Sequence, residues 1–343
     1  MKRDMNEWMD RVITSPERLA MPIMTHPGIT LTGHTVLEAV TNAEYHFEAV
    51  KAVAERYPTA AATMIMDLSV EAEAFGAEIR FDEQEVPSIV SRTVHSADSV
   101  SRIAVPDLRH GRLSDRLDAL QLASRHLSDR PIFAECIGPF SLAGRLYGVS
   151  ETMTTILDEP DTILMLLRKC TQFLIACCRA FKSADANGVI IAEPVAGMLP
   201  PELCTEFSSS FVQEIVREVQ DRQFLVILHN CGETDQLVPS MLETGAACLH
   251  FGNRCTITDA LASIPSNVLV MGNLDPVGVL KMASPADVRK ETSLLLDRTA
   301  RYRNFLLSSG CDVAPDTPVA NIDAFFSAVH EFNLKNAETR TIV

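Results

Sequence analysis

A chain of 343 residues with 45 acidic and 30 basic side chains carries a formal charge of −15, which repels a nucleic-acid duplex or an anionic membrane surface at long range. Its residues are 47% hydrophobic and 22% charged, enough apolar side chain for one large core and too ordered a composition for extensive disorder. No run of about 18 uncharged apolar residues is present to span a membrane, and the start, MKRDMNEWMDRV, lacks the apolar stretch of a secretory signal.

In chain order, eight short apolar runs alternate with helical patterns: 18–24, 62–67, 131–137, 188–193, 224–231, 247–253, 268–275 and 304–312. Several are apolar throughout, as strands covered on both faces are. Residues 36–57 read as one amphipathic helix, 161–185 as a longer buried one and 285–302 as a third. Asp161 and Ser284 follow N-cap logic, the latter with Pro285 at the first helical position. The interval 68–130 is too long for one helix, and 77–95 alternates well enough for an inserted hairpin after the second strand. The interval 231–268 packs two connections into little chain, so its helices must be small. No composition shift divides the sequence, so residues 1–343 are expected to form a single (β/α)8 barrel domain, with a doubly wound open sheet as the alternative.

Chemistry in such a barrel gathers where strands end. Reading those ends gives Asp67, Cys136, Glu193, His229 with Cys231, His250, Asn273 with Asp275, and Cys311 with Asp312. Side chains two apart on a strand share a face, so His229 and Cys231 both point to the barrel interior, and closure brings Cys311 to the same rim. One imidazole and two thiolates suit Zn²⁺, with a fourth position left for substrate. The competing reading is a core histidine beside two inert thiols. Glu193, ending an apolar run, is either a fourth ligand or a cap on a loop. The nine cysteines, an odd number without a secretory signal, read as reduced thiols in a cytoplasm.

HNCGET (229–234), the strand-end Cys311 and VMGNLDPVGVL (270–280) together resemble the uroporphyrinogen decarboxylase superfamily, and within it the methylcobamide:coenzyme M methyltransferase branch. MIMDLSVEAEAFGAEIRF (64–81) and CIGPFSLAGRLYG (136–148) are similar to that branch's own segments. The resemblance implies a (β/α)8 barrel with zinc at its mouth, held by His229, Cys231 and Cys311, with Glu193 as a candidate fourth ligand. Asp67 matches an aspartate with which the decarboxylases hold pyrrole nitrogens. Those enzymes also need an arginine-rich segment near the first strand, whereas MPIMTHPGITLTGHTV (21–36) has neither Arg nor Lys. A substrate with many carboxylates would find little to pair with there.

The activity this implies is methyl transfer from a methylated corrinoid on a partner protein to a thiol such as coenzyme M, or to tetrahydrofolate. A free thiol is mostly protonated at neutral pH, and zinc holds it as thiolate. Asn273 and Asp275 are candidates for lining the pocket, with a plain turn role as the alternative for Asp275. Arg145 is a candidate partner for a sulfonate, and His26 and His34 either face the mouth or are ordinary loop histidines. The competing functions are tetrapyrrole decarboxylation, a non-catalytic barrel that binds a corrinoid protein, and a zinc methyltransferase with a methylfolate donor.

Overall fold

A computed structural model describes residues 2–109 and 111–341. Strands β1 (Ala62–Thr63), β4 (Ile132–Ile137), β5 (Gly188–Ala192), β6 (Leu225–Asn230), β7 (Cys248–Phe251), β8 (Leu269–Leu274) and β9 (Phe305–Ser309) form one parallel sheet in that spatial order. Strand neighbours are chain neighbours throughout, and helices fill the crossovers, giving a barrel-like α/β fold. Between β1 and β4, a separate pair, β2 (Ile79–Arg80) and β3 (Ser88–Ile89), runs antiparallel in the place where the hairpin is expected.

The run 18–24 makes a single parallel bridge, Ala20 to Leu307, in place of a full strand. Pro22 interrupts it and has no N–H to give a ladder. The segment still spans the sheet's two edges. Met21 N donates to Leu307 O and Leu307 N to Leu19 O on one side, and Ala60 N donates to Ala20 O on the other. The run 62–67 also leaves its ladder early. Beyond Met64, the Ile65 N–H is taken by His46 Nε2 at 2.9 Å and the Ile65 carbonyl by Arg116 Nη2 at 2.7 Å. Burial holds His46 neutral, at about 3, which leaves Nε2 free to accept.

Strand alternation sorts the core into two layers. Phe133, Ile190, Ile227, Met271 and Leu306 pack together inside the curled sheet, while Ala134, Ile191, Leu228, Val270 and Leu307 face the helices. The helix Met5–Thr14 closes the N-terminal end. Its Trp8 sits 5.7 Å from the Phe133 ring and donates to Ala60 O.

Two helix expectations are corrected. The helix expected over 36–57 is two, Val36–Thr41 and Ala43–Arg56, because the Asn42 side chain accepts from Glu44 N and Tyr45 N and starts a new helix there. The helix expected from Asp161 begins one residue earlier, with Pro160 at its first position and Glu159 as N-cap. Ser284 caps Pro285–Thr299 by accepting from Asp287 N. The connections in 231–268 carry the short helices Val238–Glu243 and Ile257–Ser263.

Candidate metal and active site

β6 delivers His229 to the inner face, and the chain leaves the strand at once through Cys231. That departure needs a close neighbour without a side chain. A Cβ on Gly252 would lie 2.6 Å from Cys231 Cα and 2.7 Å from its carbonyl oxygen, so only glycine lets the two loops pass. Cys311 follows β9 by two residues. One ligand atom from each of His229, Cys231 and Cys311 lies within 4.8 Å of the others. Cys311 donates a hydrogen bond that draws the Cys231 thiol well down against burial, and the Cys311 thiol is held correspondingly high.

The orientation of His229 is fixed from behind. Ser308 Oγ donates to Met21 O at 2.9 Å, so it accepts from His250 Nε2, also at 2.9 Å. Burial keeps His250 neutral, and its Nδ1 then accepts from His229 Nδ1 at 2.7 Å. This network assigns the His229 proton to Nδ1 and leaves a lone pair on Nε2. His229 Nε2 is buried and has no hydrogen-bond partner among the described residues. A borderline-soft set of one imidazole nitrogen and two sulfurs, with the nitrogen's lone pair unclaimed, fits a divalent zinc ion.

Glu193 does not join these three. Its Oε1 accepts from Phe140 N at 2.9 Å, and its Oε2 from Ser141 N at 2.9 Å and Ser141 Oγ at 2.6 Å. The carboxylate therefore caps the first turn of helix Pro139–Tyr147. A Cβ on Gly138 would fall 2.3 Å from Glu193 Cγ, so the helix entry is shaped around this side chain. Of the two expectations for Glu193, the geometry is that of the cap.

Arg145 is exposed in the last turn of that same helix, away from its capped start. Asn273 Nδ2 donates to Gly252 O at 2.9 Å and Cys255 O at 2.8 Å, which ties two loops together. Asp275 accepts from Val277 N and Gly278 N, an N-cap to the turn Pro276–Lys281. His34 stacks on Tyr45 and bonds Glu48 at the surface. Cys136 is fully buried, its thiol pushed well up by Cys178 and by burial.

Asp67 is buried and engaged by residues that the sequence did not single out. Arg112 Nη1 meets its Oδ2 at 2.5 Å, Arg112 Nε meets Glu73 Oε2 at 2.8 Å, and Ser69 Oγ donates to Asp67 Oδ1 at 2.6 Å. Arg116 pairs with Glu71 at 3.3 Å. Burial alone would raise the Asp67 carboxyl, but Arg112 and Arg116 hold it below its usual range. The arginines absent from 21–36 are thus supplied by the helix Leu113–His126 and its N-cap, already matched to acids of this chain. Of His26 and His34, it is His26, buried and 2.8 Å from Asp312, that reaches the interior.

Burial raises Glu71, against Arg116, and Glu193, against its Ser141 and Phe140 donors, each to about 7 from 4.5. A carboxyl raised on folding adds stability that is complete below its unfolded pKa and is lost as pH climbs through the folded one. Relative to the Glu71→Gln, Glu193→Gln variant, wild type should therefore lose urea midpoint between pH 5 and pH 8, while His46 and His250, held neutral by folding, pull the other way in both proteins. A wild-type minus variant difference that grows in favour of wild type over this window would contradict the assignment.

Comparisons with known proteins place this geometry in context. The chain is 28% identical over 260 residues to the methylcobamide:CoM methyltransferase MtbA of Methanosarcina mazei, covering 75% of each. It is 30% identical over 310 residues to the uroporphyrinogen decarboxylase of Hydrogenovibrio crunogenus, covering 87% of this chain and 86% of that one. The solved structure of a methyltransferase from Methanosarcina mazei superposes with a TM-score of 0.86 at 22% identity, over 97% of this chain and 99% of the other, a likeness of fold. The sequence profile described as Uroporphyrinogen decarboxylase (URO-D) matches residues 5–332, and by that span the chain belongs to the uroporphyrinogen decarboxylase family.

Proposed function

We propose that this protein is a zinc-dependent methyltransferase that moves a methyl group from a methylated corrinoid, carried on a partner protein, to a thiol or to tetrahydrofolate. The observation that carries the reading is the convergence of His229, Cys231 and Cys311 within 4.8 Å, with His229 Nε2 buried and unpartnered. The likeness to methylcobamide:CoM methyltransferases supports the donor and makes coenzyme M one acceptor to test. We read the fold as one (β/α)8 barrel domain over 1–343, with 18–24 as its first strand, supported by the hydrogen bonds on both sides of Ala20. A reducing cytoplasmic location accords with nine free cysteines.

His229, Cys231 and Cys311 would hold the ion. Bound there, zinc lowers the pKa of an incoming thiol and keeps it as a nucleophilic thiolate. Two cysteine ligands keep that sulfur electron-rich, where a carboxylate-rich set would favour hydrolysis. The acceptor's sulfur, held at the ion, would form a bond to the methyl carbon as the bond from that carbon to the corrinoid broke. The corrinoid, when bound, would supply the methyl group and keep the electron pair of the broken bond, and the thiol proton would go to solvent. His250 and Ser308 keep the His229 ring turned with Nε2 forward. His250→Ala is expected to weaken zinc affinity about 10–100-fold in a chelator competition. Unchanged affinity would remove His250 from this role.

The test of the whole reading is anaerobic demethylation of methylcobalamin with coenzyme M, homocysteine and tetrahydrofolate in parallel, with and without chelator. Conversion to Co(I) that requires both protein and acceptor, and stops with chelator, is the expected result. Loss of carboxylates from uroporphyrinogen, with no demethylation, would favour the decarboxylase reading instead. Against it, Arg112 and Arg116 are already paired within the chain.

A further inference from the structure

Beside Cys311, the interior holds polar atoms that nothing among the described residues answers. Glu135 lies two residues from Phe133 on β4, and Phe133 belongs to the inner layer, so Glu135 faces inward as well. It is 1% exposed, and neither carboxyl oxygen has a hydrogen-bond partner. Burial pushes its carboxyl well above the usual range, and the charge of Asp312 adds to the effect. Asp312 follows Cys311 directly. Its Oδ2 lies 2.8 Å from His26 Nδ1, while Oδ1 is buried without a partner. His26 is 1% exposed and its Nε2 is unpartnered too. Burial alone would lower the His26 imidazole, but Asp312 outweighs it and raises it. Buried polar atoms in native proteins are nearly always partnered, so a group of them beside one site calls for a ligand.

The chemistry of that ligand follows from what is missing. Three of these atoms are carboxyl oxygens, Glu135 Oε1 and Oε2 and Asp312 Oδ1, and a bound cation would return the Glu135 carboxyl to carboxylate, while His26 Nε2 is a ring nitrogen among them. Arg112 and Arg116 hold Asp67, Glu73 and Glu71 and offer a sulfonate no unclaimed charge. We infer that Glu135, Asp312 and His26 bind the end of the methyl acceptor remote from the transferred group, and that this end carries N–H donors, not a sulfonate. The identity of the ligand as a methyl acceptor rests on the function proposed above. Two sources share the required chemistry: an aminothiol, whose ammonium would sit at Glu135, and the reduced pterin of tetrahydrofolate, whose ring N–H groups would do the same.

Cysteamine and coenzyme M are two-carbon thiols that differ in ammonium against sulfonate, which makes them a matched pair. Calorimetric titration of the zinc-loaded full chain with each, and with tetrahydrofolate, reads the preference directly. Wild type is expected to bind cysteamine or tetrahydrofolate at least tenfold more tightly than coenzyme M. Glu135→Gln should abolish that preference, and Glu135→Asp should retain part of it. The better of the two amine ligands identifies the source. Coenzyme M binding as tightly as both amines in wild type overturns the inference, as does an intact preference in a folded Glu135→Gln. A chain that prefers amines but demethylates no corrinoid sinks the transferase reading and leaves this subsite standing. A zinc enzyme that prefers coenzyme M does the reverse.

Discussion

Cys231→Ser is expected to lower zinc content from about one ion per chain to a small fraction and to cut methylcobalamin demethylation by more than about 100-fold. The fold should survive, because Cys231 is only partly buried and its loop is held by the backbone against Gly252. Cys311→Ser should behave alike, since the two sulfurs share one hydrogen bond and one site. Metal analysis and circular dichroism on the same preparation separate loss of the ion from loss of structure. Either variant holding wild-type zinc and wild-type rates would show that the sulfurs are bystanders.

The second large effect concerns stability. Arg112→Met is expected to destabilise the protein by about 3–5 kcal/mol, because it strands the buried Asp67 carboxylate and leaves Glu73 unmatched. Arg112 also donates to Ser69 Oγ at 2.8 Å and to Val40 O at 3.4 Å, so one substitution opens four contacts. Asp67→Asn in the same background should recover part of the loss, since it removes the uncompensated charge. Urea denaturation of the single and double variants measures both. A single variant within about 0.5 kcal/mol of wild type would mean that this buried network carries no weight.

How far the sequence could be read follows from which interactions are local. The parallel strands from 131 onward were legible because apolar runs of four to six residues covered on both faces have a plain signature. The first two runs were not, because Pro22 removes a donor, and the Ile65 backbone is claimed by His46 and Arg116 from distant helices. His229, Cys231 and Cys311 could be picked out because their strands end where they stand. Arg112 and Arg116 could not, since they occupy a helix and its N-cap and reach Asp67 only through tertiary packing. His250 was visible as a strand-end histidine, but its place behind His229 depends on the β6–β7 register that sets the two side by side. Glu135 has no motif at all. The parity of β4 would have signalled an acid inside an apolar strand, had the inner face been assigned residue by residue.

Zinc K-edge X-ray absorption on the full chain loaded with one equivalent of zinc tests the central claim most directly. The account predicts two sulfurs at about 2.3 Å and an imidazole nitrogen at about 2.0 Å. A shell of oxygen and nitrogen alone, or a protein that takes up no zinc, would contradict it.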